Sequence, residues 1–171
     1  MIKDSIIIIL LTLFWAAVSI FGNYIRATGL VLAIVAVVWI FFDLFIWRWF
    51  SPIIIRQYNI SGKWKGKLHY NYKGKKGQKA VNVEIKQTFS STKVIILSDE
   101  MHGESIVSKW FYDENKLFYV YRTDPKSEHK DKNPVQYGGA QIKVDNKNLN
   151  KIRIEYWTDR QTKGYMELKK C

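Results

Sequence analysis

Cysteine occurs once, as Cys171, so no disulfide can form within the chain and nothing marks an oxidising compartment. The residues before it, Leu168-Lys169-Lys170, are not a C-a-a-X lipidation signal. The three histidines, His69, His102 and His129, fall in separate segments without the spacing or cysteine partners of a zinc site. A phosphate loop is missing too. Lys73-Gly74-Lys75-Lys76-Gly77-Gln78 carries glycine and lysine but not Gly-x-x-x-x-Gly-Lys-Ser/Thr, and reads as a hairpin turn. No catalytic constellation, metal site or cofactor is expected, and the chain does not read as an enzyme.

Charge is nearly absent from residues 1–50, which carry only Lys3, Asp4, Arg26, Asp43 and Arg48. Residues 51–171 hold 24 Lys/Arg against 13 Asp/Glu, +11 of the chain's formal +12. That split disfavours both a fully soluble protein and a fully intrinsic transporter. It describes a membrane anchor (1–50), a linker (51–60) and a basic domain (61–171).

Residues 5–25 form an uncharged run of 21, about 30 Å as a helix and enough to cross a hydrocarbon core. A second run, 27–47, is interrupted only by Asp43. Gly22, Asn23, Arg26 and Gly29 supply the turn between them, so a two-helix transmembrane hairpin is expected. A signal peptide fits poorly, because Ala16-Ala17-Val18-Ser19 offers no clean cleavage site and a second span follows. The basic residues after the second span place the domain and both termini in the cytoplasm by positive-inside bias. Trp47-Arg48-Trp49 reads as an interfacial anchor. Asp43 either reaches the interface or makes an inter-helix contact that favours self-association. Gly29 and Ala33, four residues apart, would allow close helix approach.

Beyond Pro52 the apolar period changes to two. Strands are expected at 63–72, 81–89, 93–98, 104–112, 116–123, 135–145, 149–158 and 163–169. Short turns connect most of them, and a charged, proline-bounded connection at 124–134 is a surface loop or a lid. Eight sequential antiparallel strands close naturally into an eight-stranded antiparallel β-barrel in an all-β domain, with an open sandwich as the alternative.

Alternation also proposes an inner face: Trp64, Leu68, Tyr70 and Tyr72; Val81, Val83, Ile85 and Gln87; Ile106, Ser108, Trp110 and Tyr112. Leu117, Tyr119, Tyr121 and Thr123 follow, although Phe118, Val120 and Arg122 make a rival inward set on that strand. Ile152, Ile154, Tyr156 and Thr158 come next, in step with Arg160, then Met166 and Leu168. An interior so rich in phenols and hydroxyls suits a bound polar ligand better than a purely structural core. Aromatic faces stack bases and a guanidinium fits phosphate. The expected ligand site is therefore Tyr70, Tyr72, Trp110, Tyr119, Tyr121, Thr123, Tyr156, Thr158 and Arg160.

Two membrane helices, then Ser61-Gly62-Lys63-Trp64-Lys65-Gly66 opening the first strand, and Tyr156-Trp157-Thr158-Asp159-Arg160-Gln161-Thr162-Lys163-Gly164 near the end, form a combination that resembles the two-transmembrane β-barrel effectors of CBASS, cyclic-oligonucleotide-based antiphage signalling in bacteria. The resemblance implies a non-enzymatic effector in the bacterial inner membrane. A cognate nucleotidyltransferase would make a cyclic dinucleotide, the barrel would bind it, and the protein would then self-associate and disrupt the membrane, killing the infected cell. Two other readings stay open. Gly-x-Trp opening a barrel is also lipocalin-like, which suits a tethered lipid-binding module. The outward row Lys63, Lys65 and Lys67 suits a polynucleotide, or equally anionic membrane lipid beside the anchor; DNA or RNA is not the expected partner.

Overall fold

The computed structural model describes residues 2–21, 28–51, 53–127, 134–145 and 148–171. The chain divides into two units, Met1–Phe50 and Ser51–Cys171.

In the first unit, α1 spans Ile2–Phe21 and α2 spans Thr28–Phe41. A π-helical turn, Phe42–Ile46, follows and runs into α3, Trp47–Phe50. The Trp47 N–H donates to the Phe42 carbonyl five residues back, and Asp43 lies within this widened turn. The stretch Val31–Phe50 has 20 residues at a mean hydropathy of 2.2, long and apolar enough to cross a membrane; Ile8–Ile20 is a shorter apolar helix. Leu13, Trp15 and Ile20 on α1, and Leu32 and Ile34 on α2, are exposed. An apolar helix surface left open in this way suits lipid. Of the turn expected over 22–29, residues 22–27 lie outside the described residues, while Thr28 and Gly29 already belong to α2.

The second unit is a closed antiparallel barrel in which the strands pair in chain order. They are β1 Gly62–Tyr72, β2 Lys75–Gln87, β3 Thr92–Leu97, β4 Met101–Phe111, β5 Lys116–Pro125, β6 Gln136–Lys143, β7 Lys151–Thr158 and β8 Lys163–Lys170. Pairing of β1 with β8, Trp64 opposite Lys170 through Asn71 opposite Lys163, closes it and leaves no free edge. The sandwich alternative is thereby excluded. On β5 the inward set is Leu117, Tyr119, Tyr121 and Thr123, while Val120 and Arg122 are exposed.

Two local expectations need correction. The turn expected over 73–78 is only Lys73 and Gly74, because both adopt positive φ (48° and 84°) and reverse the chain in two residues. Lys75, Lys76, Gly77 and Gln78 are already paired strand, opposite Tyr72, Asn71, Tyr70 and His69. Ile106 is not inward: it is 62% exposed, because a β-bulge between Ser105 and Val107 switches the inward parity of β4. Inward positions on β4 are Gly103 and Ser105 before the bulge, then Ser108 and Trp110 after it.

The ends of the barrel differ. At the end where β1 begins, residues 57–60 fold into the interior, with Gln57, Tyr58 and Ile60 buried. The Trp64 indole donates to the Ile60 carbonyl at 3.1 Å. Gln87 binds this segment twice, accepting from the Ile60 N–H and donating to the Tyr58 carbonyl, both at 2.9 Å. Gln57 donates to the Thr88 carbonyl and accepts from the Tyr112 hydroxyl. Each buried amide thus meets a backbone partner, which offsets the cost of its desolvation. Above this plug lie Val83, Leu117, Ile142, Ile154 and Leu168.

Candidate ligand-binding site

Towards the opposite end the interior is not filled. A cavity of about 290 Å³ lies there, ringed by the end of β1, Lys79 and Ala80 of β2, the β3–β4 and β7–β8 turns and the ends of β5 and β6. Leu68, Ile96 and Met166 form its apolar floor. Tyr70, Tyr72, Tyr121, Thr123, Tyr156, Thr158 and Arg160 line its wall and mouth. The structure therefore brings together seven of the nine expected site residues.

Trp110 and Tyr119 are elsewhere. Trp110 lies near the closed end of β4, where its indole donates to the Thr92 hydroxyl at 3.1 Å. Tyr119 is 1% exposed and lies one inward position deeper than Tyr121, its ring 6.0 Å away. Its hydroxyl is buried without a hydrogen-bond partner among the described residues. Along each strand the inward residues share a face but not a depth, and depth decides which of them reach the cavity.

The phenols are held by backbone. The Tyr156 hydroxyl donates to the His69 carbonyl at 3.4 Å and the Tyr121 hydroxyl to the Trp157 carbonyl at 3.3 Å. Gly77 faces Tyr70 across β1 and β2, and a Cβ there would come within 2.3 Å of the Tyr70 hydroxyl, so glycine is what lets that ring lie against the wall. Burial pushes the Tyr121 phenol far above its ordinary range, with smaller contributions from Tyr156 and Asp159. Burial does the same to Tyr156, helped by Tyr70. Both phenols stay protonated at neutral pH, and with each hydrogen given to a backbone carbonyl the oxygen can accept one bond from a ligand.

Two cations flank the aromatic wall. The Arg160 guanidinium lies 5.7 Å from the Tyr72 ring and the Lys79 ammonium 5.6 Å from the Tyr70 ring. Lys79 also pairs with Glu100 at 2.6 Å. Sequence reasoning missed Lys79, Glu100, Ser98, Gln136 and Thr162 as lining residues. Lys79 is in step with the inward Val81 and Val83, Ser98 with Val94 and Ile96, and Gln136 with Ala140 and Ile142, so alternation followed to the strand ends finds these three; Glu100 and Thr162 lie in connections, where no periodic signal marks them. Asp43, Gly29 and Ala33, expected at a helix interface, lie in the first unit; Gly29 and Ala33 are exposed there and Asp43 half-buried. Among the described residues no group of three or more His, Cys, Asp or Glu side chains could hold a metal ion.

An apolar floor, hydroxyl-bearing walls and cations beside tyrosine rings at the mouth are chemically able to accommodate aromatic faces and negative charge. The family model for the Cap15 cyclic dinucleotide receptor domain matches residues 56–170, the whole barrel together with its plug. The chain belongs to this family. CD-NTase-associated protein 15 from Staphylococcus schleiferi is 37% identical over 132 residues, covering 75% of this chain and 70% of that protein. The family bears out the resemblance to CBASS effectors that the sequence carries. The matched domain is a cyclic dinucleotide receptor domain.

Proposed function

We propose that this chain is a non-enzymatic CBASS effector whose barrel captures a cyclic dinucleotide, made by a cognate nucleotidyltransferase, in the cavity at its open end. The single observation that carries this reading is the placement of Arg160 and Lys79 over the rings of Tyr72 and Tyr70 at the mouth of that cavity, within a matched receptor domain. The phosphates of the ligand meet the cations, its bases stack on the rings, and Tyr121, Thr123, Tyr156 and Thr158 hydrogen-bond its polar edges.

The apolar helices read as a two-span hairpin in the bacterial inner membrane, with both termini and the barrel cytoplasmic. Ligand acts by its differential affinity for a self-associating state, which is the only way binding can shift such an equilibrium. Asp43, in its π-helical turn, and the small residues Gly29 and Ala33 are the contacts proposed to join copies of the helices, and their assembly disrupts the bilayer.

Calorimetry of the full chain in nanodiscs, against cyclic dinucleotides with linear dinucleotides and a fatty acid as controls, tests the first step. Saturable binding of a cyclic dinucleotide, weakened about 10–100-fold in Arg160→Ala, supports the receptor reading. Binding of the fatty acid alone would overturn it in favour of a tethered lipid-binding barrel. Dye release from vesicles on adding the bound ligand tests the second step.

A further inference from the structure

Among the described residues, the buried amides and Ser/Thr hydroxyls of the barrel and its plug are paired, with one exception. Gln57 donates to the Thr88 carbonyl and Gln87 to the Tyr58 carbonyl. Thr92 accepts from the Trp110 indole, Ser105 accepts from the Val94 N–H, and Thr123 donates to the backbone carbonyl of Gln136. The side-chain amide of Gln136 makes no hydrogen bond among the described residues, although the residue is only 7% exposed. Buried polar groups are almost always paired. The Tyr119 hydroxyl also lacks a partner, but it is shut in the core, whereas Gln136 lines the cavity.

Register gives this amide its surroundings. Gln136 opens β6 directly opposite Thr123 of β5, Thr123 stands opposite Gly103 of β4, and Gly103 opposite Ile96 of β3. A Cβ on Gly103 would come within 2.9 Å of the Thr123 methyl, so the wall between Ile96 and Thr123 carries no side chain. In a closed barrel of eight strands β1 and β5 lie on opposite sides of the lumen. Tyr70 and Tyr72, with Lys79 and Arg160 beside their rings, therefore face an uncharged wall that ends in a free amide.

The cavity, about 290 Å³, is at the small end of pockets that enclose one drug-sized ligand, roughly 300–1,000 Å³. A ring of two joined nucleotides is larger than such a ligand. We infer that one base of the ring enters the cavity, that this base is adenine, and that Gln136 is the residue that selects it; the other base stays at the mouth. The amide offers one donor and one acceptor side by side, the complement of adenine's N6 amino group and a neighbouring ring nitrogen. Guanine adds an N2 amino donor beside its N1–H, a pair that calls for a carboxylate. Glu100, the one acid lining the cavity among the described residues, is held by Lys79 at 2.6 Å. Guanine would leave its amino group buried without a partner, which is costly. Uracil has a matching edge, but its single ring covers less of the floor of Leu68, Ile96 and Met166. The inference rests on the reading of this cavity as the cyclic dinucleotide site.

The test is calorimetry of the full chain in nanodiscs against cyclic di-AMP, cyclic di-GMP, cyclic di-UMP and the mixed cyclic AMP–GMP. Wild type should bind cyclic di-AMP roughly 10–100-fold more tightly than cyclic di-GMP. The mixed ring should fall within about twofold of cyclic di-AMP, the statistical factor for one adenine in place of two. Gln136→Leu should lose most of the preference for adenine over guanine, and Gln136→Glu should turn it towards cyclic di-GMP, because a carboxylate accepts from both guanine donors. Thermal melts establish that each variant is folded, and the reversal by glutamate is a readout that a merely structural glutamine would not give. Equal wild-type affinity for the adenine and guanine rings, or a preference kept in Gln136→Leu, overturns the inference and leaves the receptor reading standing. A mixed ring that binds at least tenfold more weakly than cyclic di-AMP overturns it too, since both bases are then read. Binding of none of the four rings overturns the receptor reading itself.

Discussion

The plugged half and the hollow half of the barrel are made from the same strands, yet their interiors do different work. On β7 the inward series starts with Ile152 and Ile154 and ends with Tyr156 and Thr158. On β1 it starts with Trp64 and ends with Tyr70 and Tyr72. The first residues of each series pack against the plug and make a dry core; the last line the cavity. Stability is concentrated at one end so that the other can stay open and polar. The two functions should therefore be separable by mutation.

Trp64→Ala should break that division most severely. The indole is fully buried and bonded to the plug, so its loss should cost about 3–5 kcal/mol and abolish binding together with the fold. A thermal melt of the full chain in detergent checks this. Alkali should have the next largest effect. Tyr119, Tyr121 and Tyr156 are held protonated by burial above the ordinary phenol value of 10.0. Their contribution is complete below pH 10 and falls as pH rises above it, because the unfolded chain then releases protons that the folded chain retains. Each of the three phenols should steepen the loss by about 1.4 kcal/mol per pH unit. Denaturant melts across pH 8 to about 11 should stay level first and then fall.

Arg160→Ala should show the reverse of Trp64→Ala. Affinity for the cyclic dinucleotide should drop about 10–100-fold, the value of a charge-assisted contact of about 1.5–3 kcal/mol. Stability should move by no more than about 0.5 kcal/mol, because the side chain is half-exposed at the mouth. Tyr119→Phe is the finest test of depth. Removing a buried hydroxyl that has no partner among the described residues should stabilise the barrel by about 1 kcal/mol while leaving ligand affinity unchanged. A fall in affinity would place Tyr119 within reach of the ligand.

Much of this was legible in local pattern. The change from long apolar runs to period-two alternation located the helices and the strands, and the less charged face of β1, β5 and β7 proved to be the inner one. Seven of the nine residues read as the ligand site line the cavity because β strands keep their faces. The reading failed where parity is reset from outside the strand. At the bulge near Ile106, one extra residue turned the next side chains over. At the β1–β2 turn, two residues with positive φ did what six were expected to do.

By itself, then, the sequence determined which side of each strand faces inward, because alternation is set by bonds within the strand. It determined the apolar helices for the same local reason, and its paired motifs carried the family. Only the tertiary structure decided how deep each inward residue lies, since depth depends on the register in which β1 meets β8 and on residues 57–60 filling one end. Closure sent Trp110 and Tyr119 into the packed part and Arg160 to the mouth. The same register set Lys65, Lys169 and Lys151, distant along the chain, side by side on the outer face.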